Sequence, residues 1–282
     1  MLNLAPRNKL GLVIDSPLLA GSGAVGYGDA WPPGLRPEDF GAIITAPVSA
    51  APRKGRPQPR LTEIPGGFLL DTGGHNPGFR RLAASQIRTW RRLPTPVILA
   101  LAGGEPGDRA WMAAHLEPLE DVIAGVELSV SEDVNLGETA AFIAAVRRAT
   151  PLPILARLPV TRATYLARTA IVAGADALIV GTPPPASYPA SQTLIEAPLS
   201  GPAAFPFTLR ALSLLAELDL DSPIIAAGGV YSLDDALLCL EMGASAVAIR
   251  GLVWRDPAAA RRLAINIRPF MPEMEGVESD EG

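Results

Sequence analysis

Apolar residues in this chain come in eight short runs of five or six, separated by longer stretches in which apolar and polar positions mix at helical spacing. The runs are Pro17–Gly21, Ala42–Ala46, Val97–Leu101, Gly125–Val130, Ile154–Leu158, Ala177–Gly181, Pro223–Ala227 and Ala246–Arg250. Most do not alternate strictly, which is the pattern of a strand covered on both faces. The intervening segments predict helices over Phe79–Arg92, Arg109–Leu116, Gly137–Ala149, Arg162–Ala173, Phe205–Leu218, Leu233–Met242 and Pro257–Ile267. Gly174 and Gly243 each stop a helix three residues before a strand starts, as a C-terminal glycine cap does. Strand–helix alternation argues for parallel βα units, and eight of them in about 250 residues is the size of one (β/α)8 TIM barrel. The expected organisation is a single-domain α/β barrel over residues 1–271. Residues 272–282, PEMEGVESDEG, are acidic without a core pattern and are expected to be disordered.

Three connections exceed plain turns: Gly21–Pro37, Pro47–Pro77 and Thr182–Pro202. On a barrel, long βα loops gather at the C-terminal face, where active sites sit. The second and sixth are expected to build a lid. The 282 residues carry a formal net charge of −5, which offers nothing to nucleic acid or an anionic membrane. No apolar run reaches the ~20 residues of a membrane helix, and the N-terminus lacks the plan of a signal peptide. A cytoplasmic protein is the expectation. Cys239 is the sole cysteine, and His75 and His115 are the sole histidines. Within one chain this excludes disulfides, iron–sulfur clusters and multi-histidine metal sites. All but two of the 24 cationic residues are arginine, and neither Lys9 nor Lys54 ends a strand run, which argues against Schiff-base chemistry.

The strand ends carry the candidate chemistry. Gly21, Ser22 and Gly23 follow the first run, Thr45 ends the second, Ser129 and Ser131 lie at the fourth, Arg157 ends the fifth and Thr182 follows the sixth. Gly228, Gly229 and Gly251 end the last two. Glycines at parallel strand ends can present bare backbone N–H groups to a phosphate, and barrels often hold one after strands seven and eight. A phosphate at the glycines and a flat ring near Arg157 would lay a cofactor across the barrel mouth. A cation at a flavin's N1–C2=O edge would favour its anionic reduced form. The plainer alternative is that Arg157 pairs with an acid such as Glu127 and the glycines are ordinary turns.

Five segments, in order, resemble the dihydroorotate dehydrogenase family of FMN-dependent (β/α)8 barrels. They are GSGAVG at 21–26, APRKGRPQPRLTEIPGG at 51–67, GGHNPG at 73–78, LSGPA at 199–203 and AAGGVYSLDDALLCLEMGASAVAIRG at 226–251. The resemblance implies an oxidoreductase of pyrimidine biosynthesis with FMN as cofactor, a small-molecule substrate and a homodimeric assembly. It adds Ser200, Gly201 and Arg250 to the cofactor side. It places Glu132 at the base position of the fourth βα loop, with Ser131 beside it. On the substrate side it points to Asn76, Ser129 and Asn135, with His75 adjoining. The chain also departs from the family. Ala46 and Arg157 stand where family members carry lysine, and Leu70, Ser129, Val134 and Gly181 stand at substrate-gripping asparagines. Each polar group left without a partner costs roughly 1–3 kcal/mol, so these losses bear on dihydroorotate more than on FMN. Two alternatives stay open: a barrel that kept the fold and acts as a binding partner, and a flavin-free enzyme acting on a phosphate ligand.

Overall fold

The structure, a computed structural model, describes residues 1–103, 107–190 and 193–271. The acidic segment 272–282 lies outside the described residues. Eight parallel strands close into a barrel: β1 (Leu18–Ala20), β2 (Ala42–Ile44), β3 (Val97–Leu101), β4 (Gly125–Ser129), β5 (Ile154–Pro159), β6 (Ala177–Thr182), β7 (Ile224–Ala227) and β8 (Ala246–Ile249). Each pairs with its successor, and β8 returns to β1 with Val247 opposite Leu18 and Ile249 opposite Ala20. The eight runs read from the pattern are these eight strands.

Strand side chains alternate between faces, and here both faces are covered. Leu19, Ile44, Ile98, Leu155, Ile179, Ile225, Ala246 and Ala248 point inward and fill the barrel. Leu99, Val126, Ala156, Leu178 and Val247 point outward under the helices. The helices are α1 (Phe79–Trp90), α2 (Asp108–Ala114), α3 (Leu136–Ala149), α4 (Ala163–Val172), α5 (Phe205–Ala216), α6 (Leu233–Glu241), α7 (Gly251–Arg255) and α8 (Pro257–Ile267). Local chemistry sets their starts. Asn135 caps α3 and Ser232 caps α6, each in a reciprocal capping box with the acid three residues on. Asp256 caps α8, with Pro257 in its first turn.

Three features escaped the pattern. An N-terminal hairpin pairs Leu2–Asn3 with Val13–Ile14, and Leu4, Leu12 and Ile14 plug the bottom of the barrel. Two-residue strands are too short to show a period. The five-residue helix α7 directly follows β8. The second and sixth βα loops fold into a four-stranded antiparallel lid. Leu61–Ile64 pairs with Gly67–Leu70, which pairs with Thr193–Ser200, which pairs with Pro185–Ala190. The lid itself was expected; its strands were hidden because proline and glycine interrupt them.

Candidate functional site

Period two along the strands decides what reaches the mouth of the barrel. Two residues above inward-facing Leu19, Leu155, Ile179 and Ala248 come Gly21, Arg157, Gly181 and Arg250, and all four line one cleft. Glu127 on β4 sits fully buried beside them. Its Oε2 is 3.4 Å from Arg157 Nη1, while Arg157 Nη2 donates to the Gly181 carbonyl at 2.8 Å. Arg250 Nη2 donates to Ser200 Oγ of the lid at 3.2 Å. Glu127 is thus paired with Arg157 and acts on Arg250 only through longer-range attraction. Burial, followed by repulsion from Arg157, pushes Arg250 down to about 10, with Glu127 and Tyr231 opposing. The cleft carries net positive charge.

Backbone closes its other side. Gly229 has φ +77°, and a Cβ there would stand 2.2 Å from the Phe205 nitrogen. No side chain fits between β7 and the start of α5. Thr208 Oγ1 on α5 donates to the Gly228 carbonyl at 2.9 Å. Past the glycines, Asp235 accepts from the Tyr231 and Ser232 nitrogens at 2.9 and 3.0 Å, so the α6 cap also fixes Tyr231. The Tyr231 hydroxyl lies 2.0 Å from where a Cβ of Gly251 would be, and burial raises its pKa. With these side chains in place the open space is about 40 Å³, room for a water or two.

Nine of the twelve cofactor-side residues chosen from the sequence line this cleft: Gly21, Ser22, Arg157, Ser200, Gly201, Gly228, Gly229, Arg250 and Gly251. Three do not. Thr45 is fully buried and its Oγ1 accepts from the Ala100 nitrogen at 3.0 Å, so it serves barrel pairing. Gly23, at φ +75°, turns the chain beside Ala46. Thr182 adjoins the cleft through its neighbours Gly181 and Pro183, and its own buried hydroxyl has no partner. Tyr231 and Leu199 line the cleft and were missed. Tyr231 lies past the end of β7, and Leu199 lies in a lid strand that the sequence pattern did not show.

The proposed catalytic and substrate residues separate. Asn76 is buried with its amide fully engaged: Nδ2 donates to Ser49 Oγ at 2.8 Å and the Gly74 carbonyl at 2.7 Å, while Oδ1 accepts from Gly78 and Ser49 nitrogens. These bonds brace the second βα loop. His75 is exposed and donates Nδ1–H to the Lys54 carbonyl at 2.8 Å. Asn135 is spent on capping α3, accepting from the Glu138 nitrogen at 3.0 Å. The Glu132 carboxylate accepts from Thr161 Oγ1 and its carbonyl from Arg162, which turns it toward the loop after β5 and out of the cleft. Ser129 and Ser131 remain, on the wall of a second space.

That space is a groove of about 870 Å³ on the rim between β3, β4 and α3. Its polar edge holds Arg53, Arg109, Ser129 and Ser131, and its apolar wall is Ala110, Ala141, Phe142 and Ala145. Arg53 Nη2 donates to the Gly103 carbonyl at 2.6 Å and Arg109 Nη2 to the Ser129 carbonyl at 2.7 Å. The Arg109 guanidinium lies 4.4 Å over the Phe142 ring, its Nε is buried without a partner among the described residues, and burial pushes its pKa down to about 10. Ser129 opposes Arg157 across the β4–β5 pairing, so cleft and groove adjoin at neighbouring strand ends.

A family profile described as dihydroorotate dehydrogenase matches residues 6–146. Among curated relatives, the dihydroorotate dehydrogenase B (NAD(+)) catalytic subunit of Desulforudis audaxviator is 32% identical, covering 93% of this chain and 91% of its own length. The catalytic subunits of the same description from Geotalea daltonii and Pelobacter propionicus are 32% and 31% identical over 93% and 94% of this chain. They span 91% and 93% of those relatives. A solved structure of DHODH from Eimeria tenella, in complex with ferulenol, superposes with a TM-score of 0.75 over 88% of this chain and 79% of that one, at 16% identity. At that identity the likeness speaks for the fold. Among the described residues no helix is long and apolar enough to cross a membrane. Barrel, ordered motifs and relatives agree: the chain belongs to the dihydroorotate dehydrogenase family of FMN-dependent oxidoreductases, which act on the CH–CH bond of dihydroorotate in pyrimidine biosynthesis.

Proposed function

We propose that this chain oxidises a CH–CH bond of a small anionic cyclic substrate related to dihydroorotate, with FMN held in the cleft at the ends of β5 to β8. The observation that carries the reading is the charge of the cleft. Two guanidiniums, Arg157 and Arg250, stand against the single carboxylate of Glu127, which pairs with Arg157, beside a glycine cradle. A buried cation excess calls for an anion, and a phosphate dianion suits both the charge and the backbone N–H groups. The residues therefore fit the phosphate end of FMN: Gly228, Gly229, Gly251, Arg250 and Ser200 would hold it, with Arg157 toward the ring. When bound, FMN supplies the two-electron acceptor.

The chain's own part is binding and proton transfer. Ser131 takes the proton in this reading, because it lines the groove while Glu132 is bonded to Thr161 and stands outside it. Arg53 and Arg109 give the groove the counter-charge for a substrate carboxylate, and Phe142 gives it a flat apolar wall. The proton leaves one carbon for the base as hydride leaves its neighbour. With about 40 Å³ open, FMN enters as Arg250, Tyr231 and the lid strand Thr193–Ser200 give way. Relatives described as catalytic subunits make a cytoplasmic homodimer that works with a second kind of subunit part of the same reading.

The same packed cleft favours a second reading, a family member that kept the barrel and serves as a binding partner. Mixing purified protein with FMN, followed by anaerobic addition of dihydroorotate, separates the two. A flavin spectrum that bleaches supports the enzyme. A protein that takes up no FMN supports the partner.

A further inference from the structure

The structure assigns Glu127 a role toward the cofactor: it positions Arg157 and offsets part of its charge, and so sets the reduction potential of the flavin. The inference rests on the FMN reading above. Glu127 points into the barrel from β4 with no exposure, and its only described partner is Arg157 at 3.4 Å. Its second oxygen, Oε1, is buried with no hydrogen bond among the described residues. Buried carboxylates are normally saturated with donors, so one long contact is poor compensation. As a stabilising device the pair is weak, since buried ion pairs barely repay their desolvation.

Its effect on Arg157 is specific. The guanidinium is pinned at two points, Glu127 Oε2 on one side and the Gly181 carbonyl at 2.8 Å on the other. Its remaining N–H groups are left for the cleft, which it lines. Arg250 contributes a second cation to the same field, and Glu127 is the carboxylate that opposes both. In a buried setting these charges act through a low dielectric. A flavin gains negative charge on reduction. Arg157 and Arg250 favour the reduced form, and Glu127 opposes it.

The test compares the FMN-loaded wild type with E127Q and E127D, measuring midpoint potential, flavin spectrum and thermal unfolding. E127Q keeps the side-chain shape and removes the charge. The expected result is a higher potential, with the reduced form favoured about tenfold, or about 30 mV for a two-electron couple. E127D keeps the charge but withdraws it by one methylene, so it should shift the potential the same way by less. It also serves as the readout if E127Q folds poorly. FMN-loaded variants that lose thermal stability while keeping the wild-type potential would overturn the inference, because a purely structural Glu127 behaves that way. A wild type that binds no FMN overturns this proposal together with the function, a result distinct from an unchanged potential in loaded protein.

Discussion

Single residues decide how charge is held at the barrel mouth. Glu127 is fully buried and Arg157 nearly so, which makes the pair sensitive to removal of either member. Arg157→Met removes the described ion-pair partner of the buried Glu127 carboxylate, leaves it only the longer-range attraction of Arg250, and should cost about 3–5 kcal/mol in urea unfolding. A loss under about 1 kcal/mol, the range of a surface pair, would mean that Glu127 finds solvent or another donor. Cys239 makes the opposite point. It is fully buried on α6, and burial, with a smaller contribution from Asp235, raises its thiol from an ordinary 9.0 to about 12. It should resist a thiol reagent at pH 8 in the folded protein and react once unfolded. The unfolded thiol ionises above pH 9 while the folded one stays protonated. Its contribution to stability is therefore fully present below pH 9 and is lost as the pH rises toward 12. Unfolding free energy that climbs over that interval would contradict this account of the thiol. At this scale the strand residues were legible. Arg157 could be paired with Glu127 from sequence because both are inward positions on neighbouring strands. Loop residues were not. Glu132, Asn76 and Asn135 were chosen for chemistry, but Thr161, Ser49 and Glu138 claim their polar atoms, and nothing local in sequence announces the first two of those partners.

At the scale of elements, the lid and the cap of α6 border the cleft. Ser200 on the lid accepts from Arg250, Phe68 packs at 6.3 Å from Trp254, and Leu199 and Ser200 pair with Leu69 and Phe68. The lid is thereby tied to the end of β8 and to α7 at the cleft. FMN uptake should be limited by lid opening, so that its observed rate levels off as FMN concentration rises. A rate that grows in proportion to FMN at every concentration would show that the lid does not gate entry. Helices were readable because glycine stops and capping residues mark their ends, as at Gly243 and at Ser232 with Asp235. The lid was readable only as a place. Its strands run four to eight residues, the two from the sixth loop contain proline, and their pairing joins two loops more than 100 residues apart, which no local pattern encodes.

For the whole molecule, the barrel is the most legible level because eight repetitions of one unit reinforce one another. Run length, helical spacing and glycine stops each leave room for error in a single unit, yet closure requires all eight. The strand order then brings sequence-distant Gly21, Arg157, Ser200, Gly229 and Arg250 to one cleft. The cleft is positively charged, although the chain as a whole carries −5. If this cleft holds the phosphate of FMN, an equilibrium titration followed by flavin fluorescence will show it. The expected result is one FMN per chain, much weaker binding of riboflavin, which lacks the phosphate, and loss of FMN binding in Gly229→Ala, whose added Cβ strikes the Phe205 backbone. Failure of the wild type to bind FMN, or riboflavin binding as tightly as FMN, would contradict it.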